Sequence, residues 1–163
     1  MAYREVLPEE DWAVLQSSIA AIFKLIAVAD GKIDKKEQKA IENIIAKSSK
    51  LRDSMAKEVL ASIDSPESLI RTFEGLKISP KEVLRKAAFI LDHKIDSQDG
   101  VAFKKHLIAI GVYIGNASGS LFNYKMSYEE IEALQEAGDC LHISVKDLEQ
   151  TNIILDIINT IDG

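Results

Sequence analysis

A chain of 163 residues has the length of one ordinary domain, and at that size roughly 70% of the unfolded chain's surface can be buried on folding. With 47% hydrophobic residues, 3 Pro and 8 Gly, the composition is that of a compact globular protein. A formal charge of −6, from 20 basic and 26 acidic residues, argues against a nucleic-acid binder, and a single cysteine, Cys140, excludes an intramolecular disulfide or thiolate cluster.

The opening run MAYREVLPEED lacks the positive and then apolar pattern of a secretory leader. Trp12, Leu15, Ile19, Ile22, Phe23 and Ile26 recur at helical spacing and predict one long amphipathic helix from about 9 to 29, stopped by Gly31. A second helix runs from Asp34 to about Ser48, with Ile41, Ile44 and Ile45 on its apolar face. Met55, Val59, Leu60 and Ile63 mark a third. Ser65-Pro66 opens a short fourth through Phe73, with proline at the first helical position, where its missing donor is not needed. Ser79-Pro80-Lys81-Glu82 combines an N-cap, an N1 proline and an N3 glutamate, so a fifth helix is predicted to about Lys94.

The stretch IDSQDG (95–100) is read as a loop, with Asp96 and Asp99 as turn formers. Residues from about 101 to 115 are apolar almost all round, which predicts a central helix covered by its neighbours, and Gly111 and Gly115 would let another helix approach closely. The longest apolar run, LIAIGVYIG (107–115), is far short of the ~20 residues of a spanning helix. No integral membrane segment is expected, and the chain is read as cytoplasmic. Ser127 opens a helix to about Ala137, and Ser144 caps a last one whose buried stripe is Leu148, Leu155, Ile158 and Ile161. No window alternates with period two, so the fold class is all-α: one helical domain over 1–163, with about seven to eight helices.

Two segments align with each other. Setting Gly31 on Gly119 also matches Ile22 with Ile110, Ile26 with Ile114 and Ala29 with Ala117. A capped helix follows in each, Asp34…Glu37…Ile41 and Ser127…Glu130…Leu134. Two pseudo-repeated helix-turn-helix units are implied, although two independent amphipathic hairpins would also give so few identities. The second copy carries Ser118 in place of Asp30, and its turn is about five residues longer.

The turn ADGKID (29–34), with Glu37 close behind, admits two readings. It fits the second half of an EF-hand loop, but the first and third ligand places would be Ile26 and Val28, which offer no side-chain oxygen. Helix capping accounts for Asp34 and Glu37, since Ser79…Glu82 and Ser127…Glu130 have the same form. Capping does not account for Asp30, a carboxylate at the negative end of a helix dipole, which costs on the order of 0.3–1 kcal/mol. Either Lys32, Lys35 or Lys36 offsets that cost, or a divalent cation bridges Asp30 and Glu37. If the two hairpins pack face to face, Glu130 and the Ser118 hydroxyl become further ligands. An all-oxygen set favours Ca²⁺, Mg²⁺ or Mn²⁺ over zinc or copper.

The run IAVADGKIDKKE (26–37) resembles the helix-turn-helix hallmark of the TerB-like tellurite resistance family, and FKKHLIAIGVYIGNASG (103–119) is similar to that family's second hallmark. The resemblance implies an all-helical, pseudo-repeated domain with an acidic, metal-binding centre. It also implies a role in tellurite or other stress resistance and, as in related members, membrane-linked assemblies joined peripherally. Asp30 and Glu37 match the family's first acidic pair and Glu130 the acid of the second, whereas Ser118 departs from the family's aspartate.

His93, His106 and His142 show no ligand or nucleophile–base spacing and are read as surface or half-buried. Cys140 and His142 are two residues apart, which fixes no geometry for a thiol enzyme. No phosphate loop or dinucleotide fingerprint is present in the sequence. A non-enzymatic protein is expected, binding a divalent ion or a protein partner but no nucleic acid. The alternative is a metal-free helical interaction scaffold.

Overall fold

The computed structural model describes residues 2–27, 35–116 and 128–143. Among the described residues the chain is all-α, with eight α-helices and one 3-10 turn: α1 Tyr3–Val6, α2 Glu9–Ala27, α3 Lys35–Ala46, the 3-10 turn Ser48–Lys50, α4 Ser54–Ala61, α5 Pro66–Gly75, α6 Pro80–His93, α7 Ser97–Asn116 and α8 Tyr128–Leu141. The expected helix at 144–161 lies outside the described residues.

Helix starts follow the caps written in the sequence. Asp53 accepts the Ala56 N–H at 2.8 Å to open α4. Ser65 and Ser68 form a reciprocal capping box at the start of α5, and Ser79 accepts the Glu82 N–H at 3.2 Å at the start of α6. The short α1 was not foreseen. It forms because the Glu58 carboxylate accepts the N–H groups of Tyr3 and Arg4, both at 3.0 Å, a contact fifty-odd residues away in sequence.

The loop expected at IDSQDG is instead the first turn of α7. Asp96 accepts the Gln98 N–H on its carboxylate and the Gly100 N–H on its carbonyl, so the acid acts as an N-cap. Asp99 then lies inside the helix, where it accepts the Tyr3 hydroxyl at 2.7 Å. Glycine at 100 is required by the tight α6–α7 hairpin, since a Cβ there would sit 2.6 Å from the Leu91 carbonyl oxygen.

Two helices occupy the centre. On α7, Phe103, Lys104 and residues 107–113 are buried, as its apolar circumference predicts. The other is α2, which packs against α4, α5, α6, α7 and α8 and buries Ser17 and Ser18 completely along with Leu15, Ile19, Ile22 and Ile26. The amphipathic reading of α2 therefore understates its burial. Short polar side chains fit between closely packed helices: the Ser18 hydroxyl donates to the Leu15 carbonyl one turn back, whereas Ser17 Oγ is buried without a hydrogen-bond partner among the described residues.

The chain direction of these helices follows from a few contacts. Near its start α2 meets the end of α6, through the Lys94–Asp11 ion pair at 2.6 Å. Near its end it meets Gly111 of α7, whose absent Cβ would lie 2.9 Å from Ile22 and 3.6 Å from Ile26. Helices α2 and α7 are thus parallel. Leu134 approaches Gly111 from α8, and His142, just past the end of α8, approaches Asp92 near the end of α6, so α6 and α8 run the other way.

Candidate functional site

The acidic centre expected from the sequence is reached only in part. Asp30 and Ser118 lie outside the described residues, as do the side chains of Glu37 and Glu130. The backbone of Glu37 is in the first turn of α3 and that of Glu130 in the first turn of α8. Each is four residues, or one turn of about 6 Å, before a residue associated with the second half of α2. Ile41 shares a groove with Phe23 and Lys24, and Leu134 meets Gly111 beside Ile22 and Ile26. Among the described residues no group of three or more His, Cys, Asp or Glu side chains is placed to hold a metal ion.

A charged cluster that sequence reading did not anticipate ties three helices together. Lys104 of α7 is 3% exposed, and its ammonium donates to Asp92 Oδ1 of α6 at 2.6 Å. His142 Nδ1 stands 3.3 Å from Asp92 Oδ2. Burial alone would push the Asp92 carboxyl up, but the hydrogen bonds and positive charges of Lys104 and His142 outweigh it and hold the group below its ordinary range. Asp92 is next to last in α6 while Lys104 lies two turns into α7, so their spacing about the α6–α7 bend does not mark them as partners in the sequence.

His142 is positioned by the way α8 ends. Its φ of 61° is left-handed, the Ile143 N–H donates to the Gly138 carbonyl, and the His142 N–H donates to the Asp139 carbonyl. This is a Schellman termination with histidine where glycine is usual. Cys140 points elsewhere, buried in the hydrophobic core, while the His142 side chain is largely exposed on Asp92. The two do not form a thiol–imidazole pair. His106 is occupied locally, with Nδ1 2.8 Å from the Ala102 carbonyl, and the His93 ring packs at a tilt of 45° against that of Phe89.

Two concavities lie among the described residues. A groove of about 380 Å³ between α2, α3 and α5 has Phe23, Ile41 and Ile70 on its floor and Lys24, Glu42 and Glu67 among its polar lining. A smaller polar one of about 150 Å³ lies beside Gln16 and Ser62, which are already hydrogen-bonded to each other at 2.9 Å. Among the described residues no helix is long and apolar enough to cross a membrane. Comparison with known proteins returns no matching family model, no matching curated protein and no matching solved structure.

Proposed function

We propose that this chain is a TerB-like, non-enzymatic helical protein of tellurite or other stress resistance, working in the cytoplasm and binding a divalent cation or a partner protein at an acidic centre of Asp30, Glu37 and Glu130. The observation that carries the reading is the convergence around the second half of α2. Ile41, one turn after Glu37, lines a groove with Phe23 and Lys24, and Leu134, one turn after Glu130, lies beside Gly111 with Ile22 and Ile26. The donor chemistry fits the ion. Three carboxylates and a hydroxyl at Ser118 are hard oxygen ligands, suited to calcium, magnesium or manganese.

A second reading, a metal-free interaction scaffold, is favoured by the caps at Asp53, Ser65 and Ser79. They make an acid near a helix start ordinary for this chain. Calorimetric titration of Ca²⁺, Mg²⁺ and Mn²⁺ into wild type and Asp30→Asn separates the two. The metal reading expects saturable binding that Asp30→Asn weakens at least about tenfold, since it removes one charged ligand of a small set. Absence of saturable binding up to millimolar ion, with Asp30→Asn equal to or above wild type in thermal stability whether or not ion is added, leaves the scaffold reading.

A further inference from the structure

The end of α8 carries a histidine where glycine would be less strained. His142 has a φ of 61°, in the left-handed region that a side chain with a Cβ enters only at some cost. What the imidazole gains there is a contact across to α6, with Nδ1 3.3 Å from Asp92 Oδ2. The carboxylate is held ready for it. The buried Lys104 ammonium of α7 fixes Oδ1 at 2.6 Å and leaves the second oxygen for the imidazole. Just ahead of His142 on the chain, Cys140 and Leu141 are buried in the core, so this junction closes over both.

We propose that His142 is a pH-sensitive latch, fastening the last turn of α8 to α6 more tightly when its imidazole is charged than when it is neutral. A neutral ring with its proton on Nδ1 can still donate to Asp92, but a charged donor makes a roughly twofold stronger hydrogen bond to a carboxylate. Histidine is the side chain that ordinarily changes charge between about pH 5 and 8. The surrounding charges decide the direction. Asp92 presents its near oxygen to the ring, while Lys104, the opposing positive charge, is bound on the other one. On α6 the neighbouring His93 packs against Phe89, and Lys94 is paired with Asp11 of α2 at 2.6 Å. On α8 itself Asp139, whose carbonyl accepts the His142 N–H, lies one turn back and adds negative charge. Attraction therefore prevails. The latch is tight on the acid side of neutrality, where Asp92, held below its ordinary range, is still ionised, and it loosens as pH rises and the ring loses its charge. Because the His142 side chain is 67% exposed, the change in the opening equilibrium is small, about two- to threefold.

The chain's single cysteine provides the readout, since Cys140 reacts only when the structure over it opens. Alkylation rates without denaturant are compared at about pH 5.5 and about pH 8, which span the ordinary histidine range. Each rate is divided by that of the same protein unfolded in urea at the same pH, which removes the titration of the thiol itself. Wild type is set beside two variants, each checked for helical content. His142→Asn accepts the left-handed backbone without carrying a charge, and Asp92→Asn with Lys104→Met keeps the histidine but removes its partner. Relative to His142→Asn, which retains every other pH effect, the wild-type ratio should rise about two- to threefold from the lower pH to the higher, and the double variant should follow His142→Asn. Urea midpoints of the three proteins at the two pH values should move in the same sense. A wild-type profile parallel to that of His142→Asn, a change of opposite sign, or a double variant that keeps the wild-type rise would each overturn the proposal.

Discussion

Lys104 shows how one buried charge organises its surroundings. Its ammonium lies almost wholly out of water, and the hydrogen bond to Asp92 replaces the hydration it lost. Removing the carboxylate charge leaves the lysine uncompensated. Asp92→Asn is therefore expected to destabilise the fold at neutral pH by about 2 kcal/mol, less than the 3–5 kcal/mol of a fully buried pair because the Asp92 side chain is 36% exposed. The pH dependence has a definite sign. The Asp92 carboxyl titrates below its ordinary range in the folded state, so its contribution is complete above the unfolded value near about pH 4 and is lost as pH falls through the lower, folded value. Urea unfolding of wild type and Asp92→Asn at pH 7 and again near pH 3 should show a clear gap at the first and a smaller one at the second. Adding Lys104→Met to the variant should recover much of the loss at pH 7. A gap that did not depend on pH, or no recovery in the double variant, would mean that packing rather than charge sets the cost.

At the scale of elements, most helices were legible because their signals are local. Apolar periodicity and the caps at Ser65 and Ser79 need no information from distant residues. What sequence alone missed depends on partners far along the chain: α1 exists because Glu58 reaches it, and the burial of Ser17 and Ser18 depends on the helices that surround α2. IDSQDG was misread for a different reason, since an aspartate that ends a turn and one that caps the next helix look alike until the following residues commit to helix. The candidate site was legible only as a list of acids. Whether Asp30 meets Glu37 and Glu130 depends on the turns between helices, where no periodicity constrains the path. Glycines show the same division. In a helix Gly→Ala gains up to about 1 kcal/mol, so helical position alone would favour alanine at both Gly75 in α5 and Gly100 in α7. At Gly75 a Cβ would meet nothing within 4 Å, whereas at Gly100 it would press on the Leu91 carbonyl at 2.6 Å, and a backbone atom cannot rotate aside. Gly75→Ala should raise the melting temperature slightly, and Gly100→Ala should lower stability by about 1–3 kcal/mol, a cost typical of overpacking. Thermal and urea unfolding of both variants check the opposite signs.

For the molecule as a whole, the arrangement of α2 and α7 implies high cooperativity. Both helices are parallel, central and in contact with each other, and one hydrophobic cluster runs from Leu7 and Trp12 through Gly111's neighbours Ile22 and Leu134 to Cys140 and Leu141. No boundary divides that cluster between the first helices and the last. The chain supplies two single-copy reporters within it, its one tryptophan and its one cysteine. Trp12 is 3% exposed near the start of α2, and Cys140 is 7% exposed near the end of α8, so they sample elements more than a hundred residues apart in sequence. If the described helices form one cooperative unit, the loss of Trp12 fluorescence and the gain of Cys140 reactivity toward a thiol reagent should share a single urea midpoint, with a slope of about 1–3 kcal/mol per molar urea. Cys140 should alkylate slowly in the folded protein, at a rate governed by opening of the core rather than by an activated thiol. Two separated midpoints would show that α8 opens independently of α2, and fast, selective alkylation without denaturant would revive a catalytic role for the thiol.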